Sequence, residues 1–202
     1  MFTTLLVNNR KILNVRKVVF LVFAIVALSF ANKNTKAKDI SIRVSSKSTL
    51  VVKGTTNVNS FSCAFDSKRL NNPISVTYFS NGEKLKFRET ELILDNYCFD
   101  CGSKGINKDF QKILKSDNHP QIKLILKETS SLENNKNFET IVDVEIAGIK
   151  REYKIPVAVK KNSINGGLKM RLSDFNLNQP KKVFGLITID DEIQIFFNLI
   201  LE

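Results

Sequence analysis

From Asp39 onward apolar residues recur at every second position, and a period of two marks strands with one dry face and one wet face. Ile40, Ile42 and Val44 alternate with Ser41, Arg43 and Ser45, and Ile74, Val76 and Tyr78 with Ser75, Thr77 and Phe79. Thr56 to Phe65 carries the pattern less cleanly. Later, Ile122, Leu124 and Leu126 stand against Lys123 and Lys127, and Val142, Val144 and Ile146 against Asp143 and Glu145. Tyr153, Ile155, Val157 and Val159 follow a tight turn at Gly148, and Leu168, Met170 and Leu172 come after them. A chain patterned this way must bury one face of each strand in a shared antiparallel sheet.

Interruptions of the period are as informative as the period itself. Leu85 and Phe87 lie in one phase and Leu92 and Leu94 in the other, which predicts a bulge or bend near Glu89 to Glu91. Val183 to Ile189 and Glu192 to Leu201 read as a closing strand pair turned at Asp190-Asp191. One helix is predicted: Asn107 caps it, Asp109 favours its first turn, Phe110, Ile113 and Leu114 share a face, and His119-Pro120 stops it. The tally is eight to ten strands with no linker, repeat or low-complexity segment. One all-β domain spanning residues 39–202 is expected. Its simplest form is an antiparallel up-and-down β-barrel of about eight strands with one short helical insertion, because closure removes exposed edges.

Residues 1–31 are of another kind. Arg10, Lys11, Arg16 and Lys17 precede an apolar run from Val18 to Phe30, and Ser29-Phe30-Ala31 has the small-x-small pattern of a cleavage site. The run is shorter than the roughly 20 residues a membrane-spanning helix needs, so a cleaved signal peptide is expected rather than an anchor. The protein is then periplasmic or secreted. Residues 32–38 are a polar, flexible leader.

Three cysteines in an exported chain are expected to oxidise. Cys98 and Cys101 have a CxxC spacing but lack the strand-to-helix context that lowers a redox thiol's pKa. Chain entropy favours a long-range bridge, at roughly 4 kcal/mol against roughly 2 for the local one. A structural disulfide between Cys63 and Cys101 is therefore expected, with Cys98 left over, although spacing does not decide between Cys98 and Cys101 as partner of Cys63.

Catalysis finds little support. His119 is the only histidine, it precedes a proline, and no nucleophile motif lies nearby. No catalytic residue, metal site or cofactor is predicted. Acidic pairs such as Asp143 with Glu145 alternate along a strand and read as a solvated outer face.

The formal net charge of +11 could suggest nucleic acid. Four of the 31 basic residues belong to the signal, however, leaving 27 against 20 acids, mostly Lys scattered singly among strands. No aromatic-and-basic platform emerges. Nucleic acid is excluded as a partner, and an anionic membrane surface fits better. Oligomeric state stays open, a dimer included.

The sequence resembles the YceI-like family. The resemblance is carried by Gly54-Thr55-Thr56-Asn57-Val58-Asn59-Ser60-Phe61, by Asn107-Lys108-Asp109-Phe110 with Leu114, and by Pro120-Gln121-Ile122. Ile146-Ala147-Gly148-Ile149-Lys150-Arg151 running into Ile155-Pro156-Val157 also matches. So do Asp174-Phe175-Asn176-Leu177, Gly185-Leu186-Ile187 and Asp191-Glu192-Ile193. Asn176 departs from the glycine that members often carry there, and the Cys63/Cys101 pairing looks like a subgroup feature. The resemblance implies a lipocalin-like barrel whose apolar lumen holds a polyisoprenoid or similar long-chain lipid, usually in the bacterial periplasm, with no cofactor beyond that lipid.

On the apolar phase, the lumen is expected to be lined by Phe87, Ile122, Leu124, Val142, Val144, Ile155, Val157, Met170, Phe184, Ile195 and Phe197. Three rivals compete with a lipid carrier. They are a structural or stress-related barrel with a side-chain-filled core, an outer-membrane barrel, which the absence of Trp disfavours, and an enzyme.

Overall fold

The computed structural model describes residues 36–130, 137–177 and 188–202. Twelve strands are found among them: β1 (Lys38–Ile42), β2 (Thr49–Thr56), β3 (Ser60–Phe65), β4 (Ile74–Asn81), β5 (Lys84–Arg88), β6 (Glu91–Asp95), β7 (Phe99–Asp100), β8 (Gln121–Ser130), β9 (Asn137–Ile146), β10 (Ile149–Lys160), β11 (Ser163–Arg171) and β12 (Ile189–Ile200). One helix, α1 (Lys104–Ile113), is inserted between β7 and β8.

All strands join one antiparallel sheet in the order β1-β4-β5-β8-β9-β10-β11-β12-β2-β3-β7, with β6 paired to β8 beside β5. The sheet curls. Val44, just past β1, bridges to Leu201, just past β12, and Glu202 and Arg43 exchange backbone hydrogen bonds there. The expected eight-stranded up-and-down barrel needs correcting in two ways. Twelve strands replace eight, and the order is not sequential, because β1 and β2 go to different neighbours.

The extra strands arise where long ones are broken. Glu89 takes a left-handed φ of 49°, which ends β5 and lets β6 restart in the opposite phase, as the shift from Phe87 to Leu92 predicts. Thr90 sits buried in that break, its hydroxyl donating to the Arg88 carbonyl and accepting from the Thr77 amide. Thr56 to Phe65 is not one strand. A turn at Asn57–Asn59 divides it, with the Thr56 hydroxyl accepting from the amides of Val58 and Asn59. Strand β2 carries no period of two, because Leu50, Val51 and Val52 form a continuous apolar run without alternation.

Asp190-Asp191 is likewise not a turn. β12 runs straight through it, and the register against β2 slips between Ile189 and Ile193, so the pair forms a bulge. Val183 to Ile187, expected in a partner strand, lie outside the described residues. By contrast, β9 and β10 are joined by the two-residue turn Ala147-Gly148, with φ of 50° and 77° as a type I′ turn requires.

Helix α1 starts earlier than expected. Ser103 is its N-cap, accepting from the Ile106 amide at 3.3 Å, while Asn107 lies within the helix. The Asn107 side chain instead ties down the preceding segment, accepting from the Cys101 amide and donating to Asp100. The helix also stops before His119-Pro120, at Leu114, followed by Lys115 in the left-handed region. Phe110 seats it on the sheet with its ring 5.0 Å from that of Phe99, which in turn meets Phe65 at 5.1 Å. The Cys63–Cys101 disulfide is formed, joining β3 to the residues just before α1. Cys98 is the free thiol, and burial pushes its pKa up, away from reactive thiolate.

His119 is a packing and backbone residue. Its amide donates to the Lys115 carbonyl, its carbonyl accepts from the buried Asn96 side chain, and its ring lies 3.0 Å from where a Cβ on Gly148 would stand. Glycine is needed at that turn for its conformation and for this close approach.

Candidate functional site

The inward side of the curled sheet is apolar on every long strand, and it is only partly filled. Where the β9–β10 turn and the short 3-10 turn Leu172–Phe175 meet, packing is dense: Val144 is 1% exposed, Met170 3% and Phe175 0%. Tyr153 stacks on Phe175 and donates to Asp174 at 3.0 Å, and burial and this acceptor together push its phenol pKa far up. Lys115 reaches from the end of α1 to the Asn176 carbonyl. Asn176 has φ 50°, so the departure from glycine has a simple reason: Asn is the side chain that best tolerates left-handed backbone.

Away from this packed end several inward side chains are only half-buried. Leu124, Leu126, Val157, Val159, Ile195 and Phe197 line a cavity of about 890 Å³. That volume lies within the range of roughly 300–1,000 Å³ usual for small-molecule sites. It equals that of roughly thirty water molecules. The lining is almost wholly aliphatic and aromatic, and extends from α1, through Ile106, Phe110 and Ile113, to the β10–β11 turn at Lys161 and Asn162.

Of the residues expected to face a lumen, Phe87, Ile122, Leu124, Val142, Val144, Ile155, Val157, Met170, Ile195 and Phe197 all line this cavity. Alternation alone brings them together. Phe184 lies outside the described residues. Within the group there is a division the pattern could not show: Val144 and Met170 belong to the packed end, whereas Leu124, Val157, Ile195 and Phe197 border open space.

Several wall residues were missed. Thr129 and Thr140 form a buried hydroxyl pair, 3.1 Å apart, on the apolar wall. A bulge between Leu126 and Glu128 puts Thr129 on the inward phase, and that register slip leaves no mark in the hydrophobic pattern. Glycines shape the wall as well. Gly166 on β11 faces Phe197 on β12, and Gly54 on β2 faces Phe61 on β3. In each pair the ring lies over the glycine: a Cβ would stand 2.4 Å from the tip of Phe197 at Gly166, and 2.3 Å from that of Phe61 at Gly54. These rings therefore lie against the sheet.

The cavity holds no arrangement that suggests chemistry. Among the described residues no group of three or more His, Cys, Asp or Glu could hold a metal ion, and no helix is long and apolar enough to cross a membrane.

A curled antiparallel sheet around an apolar cavity, with a helix against its lining, is a lipocalin-like fold whose interior has room for an apolar ligand. The profile of the YceI-like domain family matches residues 23–201, and the chain belongs to that family. Its fold is shared by BcnA of Burkholderia cenocepacia, at 20% identity and a TM-score of 0.58 over 77% of this chain and 96% of that one. A polyisoprenoid-binding domain from Saccharophagus degradans, implicated in plant cell wall breakdown, matches at 12% identity and a TM-score of 0.54, over 84% of this chain and 99% of that one. At such identities the likeness shows the fold alone. No curated protein matches the sequence.

Proposed function

We infer that the protein binds a polyisoprenoid or similar long-chain amphiphilic lipid in its cavity, sequestering or carrying it without catalysis. The observation that carries this reading is the unfilled, aliphatic-lined space running from α1 to the β10–β11 turn. Each buried methylene contributes about 0.8 kcal/mol, and micromolar affinity corresponds to about 8 kcal/mol. Roughly ten methylenes in a dry cavity therefore reach that affinity before the cost of association, with few polar contacts needed. That the Saccharophagus degradans domain of the same fold binds polyisoprenoid supports the same assignment. Partial filling argues against a surface-acting barrel with a packed core.

In this reading residues 1–31 are a cleaved export signal, residues 39–202 are the lipid-binding domain, and the protein works in the periplasm or outside the cell. An anionic membrane is the surface from which such a lipid is drawn.

Protein purified from its own host should carry a stoichiometric apolar molecule that solvent extraction and mass spectrometry identify. Val157→Phe, in the open part of the cavity, should abolish retention of that molecule while leaving a folded protein. Recovery of no apolar ligand, together with no rise in melting temperature on adding prenyl lipids, would sink the proposal.

A further inference from the structure

Some lysines of this protein are neutralised by a carboxylate and others, among them a row on one helix, are not. On the outer face of the sheet Lys84 and Lys86 pair with Glu128, Lys123 with Glu145, Lys127 with Asp143, Lys154 with Glu139 and Lys169 with Glu192. These are cross-strand pairs whose charges cancel locally. Helix α1 is different. Lys104, Lys108 and Lys112 recur every four residues, so they line one face of the helix, and all three are exposed with no ion pair among the described residues. Of the nearby carboxylates, Asp100 is engaged by Gly102 and Asn107 and Asp117 by Tyr97, while Asp109, on the same helix, lines the cavity.

The opposite face of the same helix, through Ile106, Phe110 and Ile113, lines the cavity. Ile106 is nevertheless 41% exposed, and Val58, in the turn between β2 and β3, is 66% exposed while also lining the cavity. Two cavity-lining apolar side chains thus reach solvent, one of them on a helix whose outer face is a row of unpaired cations. Tyr97, half-exposed, lies in the short turn against which the helix packs. Cations, exposed aliphatic side chains and an exposed Tyr are the combination that suits a headgroup interface.

We propose that α1 is the docking surface of this protein on an anionic phospholipid bilayer, with Lys104, Lys108 and Lys112 on the headgroups and the exposed Ile106 at the rim between helix and cavity, so that the cavity meets the membrane at the helix. This rests on the lipid-carrier reading for its purpose but not for its chemistry. Each lysine near an anionic surface changes partitioning by roughly fivefold, so the three together account for on the order of a hundredfold at low salt, fading as salt screens them.

The test uses the protein as its host produces it, with vesicles of phosphatidylcholine alone or mixed with phosphatidylglycerol. Lys104→Gln/Lys108→Gln/Lys112→Gln keeps helix propensity and should lose on the order of a hundredfold in partitioning to the mixed vesicles, with an unchanged melting temperature. Lys123→Gln/Lys127→Gln/Lys154→Gln removes the same charge from the sheet and should lose far less. Equal losses in the two variants would mean that net charge and not the helix drives association, and the proposal is then wrong. It is equally wrong if the unmodified protein shows no preference for phosphatidylglycerol, since the lysine row would then serve a different anionic partner. Prenyl lipid delivered from detergent micelles separates the two readings: failure to bind it removes the carrier function, whereas the vesicle result stands or falls by itself.

Discussion

Gly166 decides how wide the cavity is at its middle. Valine there would drive its side chain into Phe197, and the Pro156 carbonyl, 3.0 Å from the new Cβ, closes the escape along the wall. The ring must then turn into the cavity. Gly166→Val is expected to cost about 1–3 kcal/mol, as overpacking does, and to exclude ligand. Adding Phe197→Ala should restore much of both, and a double-mutant cycle on denaturant unfolding measures the coupling. Asp191 illustrates the electrostatic side of the same scale. The hydroxyl and amide of Ser173 both donate to it, at 2.7 and 2.8 Å, and hold its carboxyl below the ordinary value of 3.8. A depressed carboxylate stabilises the fold fully above its unfolded pKa and stops doing so as pH falls through the folded one. Melting temperature should therefore drop below about pH 4, and Asp191→Asn should make that acid limb shallower. An unchanged slope would remove Asp191 from the account.

Elements were legible wherever alternation was regular. β4, β8, β9, β10 and β11 all contain the stretches that the period of two picked out, and the re-phasing between β5 and β6 was visible as a change of parity from Phe87 to Leu92. Failures cluster at the ends of elements, where a side chain competes with backbone for the same hydrogen bonds. Asn107 looked like a helix cap because Asn often is one, yet here its amide group secures Cys101 and Asp100 while Ser103 caps. Ser103→Ala is accordingly expected to cost about 1 kcal/mol and to raise amide exchange in the first turn of α1. Asp190-Asp191 looked like a turn because paired Asp favours turns, but Thr55 and Ser173 satisfy the two carboxylates and the strand continues through a bulge.

At the scale of the molecule, the disulfide and the cavity balance each other. A partly filled interior forgoes packing that a filled core of this size would have, and the Cys63–Cys101 bridge, closing a sequence separation of 38, offsets part of that. In the chain-entropy model it contributes about 4 kcal/mol. Cys63→Ala/Cys101→Ala should lose a comparable amount in denaturant midpoint. It should also loosen α1, since the bridge fixes the residues from which the helix starts, and a loss below about 1 kcal/mol would contradict that role. What the sequence by itself determined is which side chains face inward, because a strand alternates its side chains whatever its neighbours are. The ten described lumen residues follow from that alone. Only the tertiary structure decided which of them touch each other and which border open space, because strand order, the bulges at Lys127 and Asp190-Asp191, and the rings laid over Gly54 and Gly166 set the distance between facing walls. Those distances depend on pairings between residues far apart in the chain, and local periodicity carries no record of them.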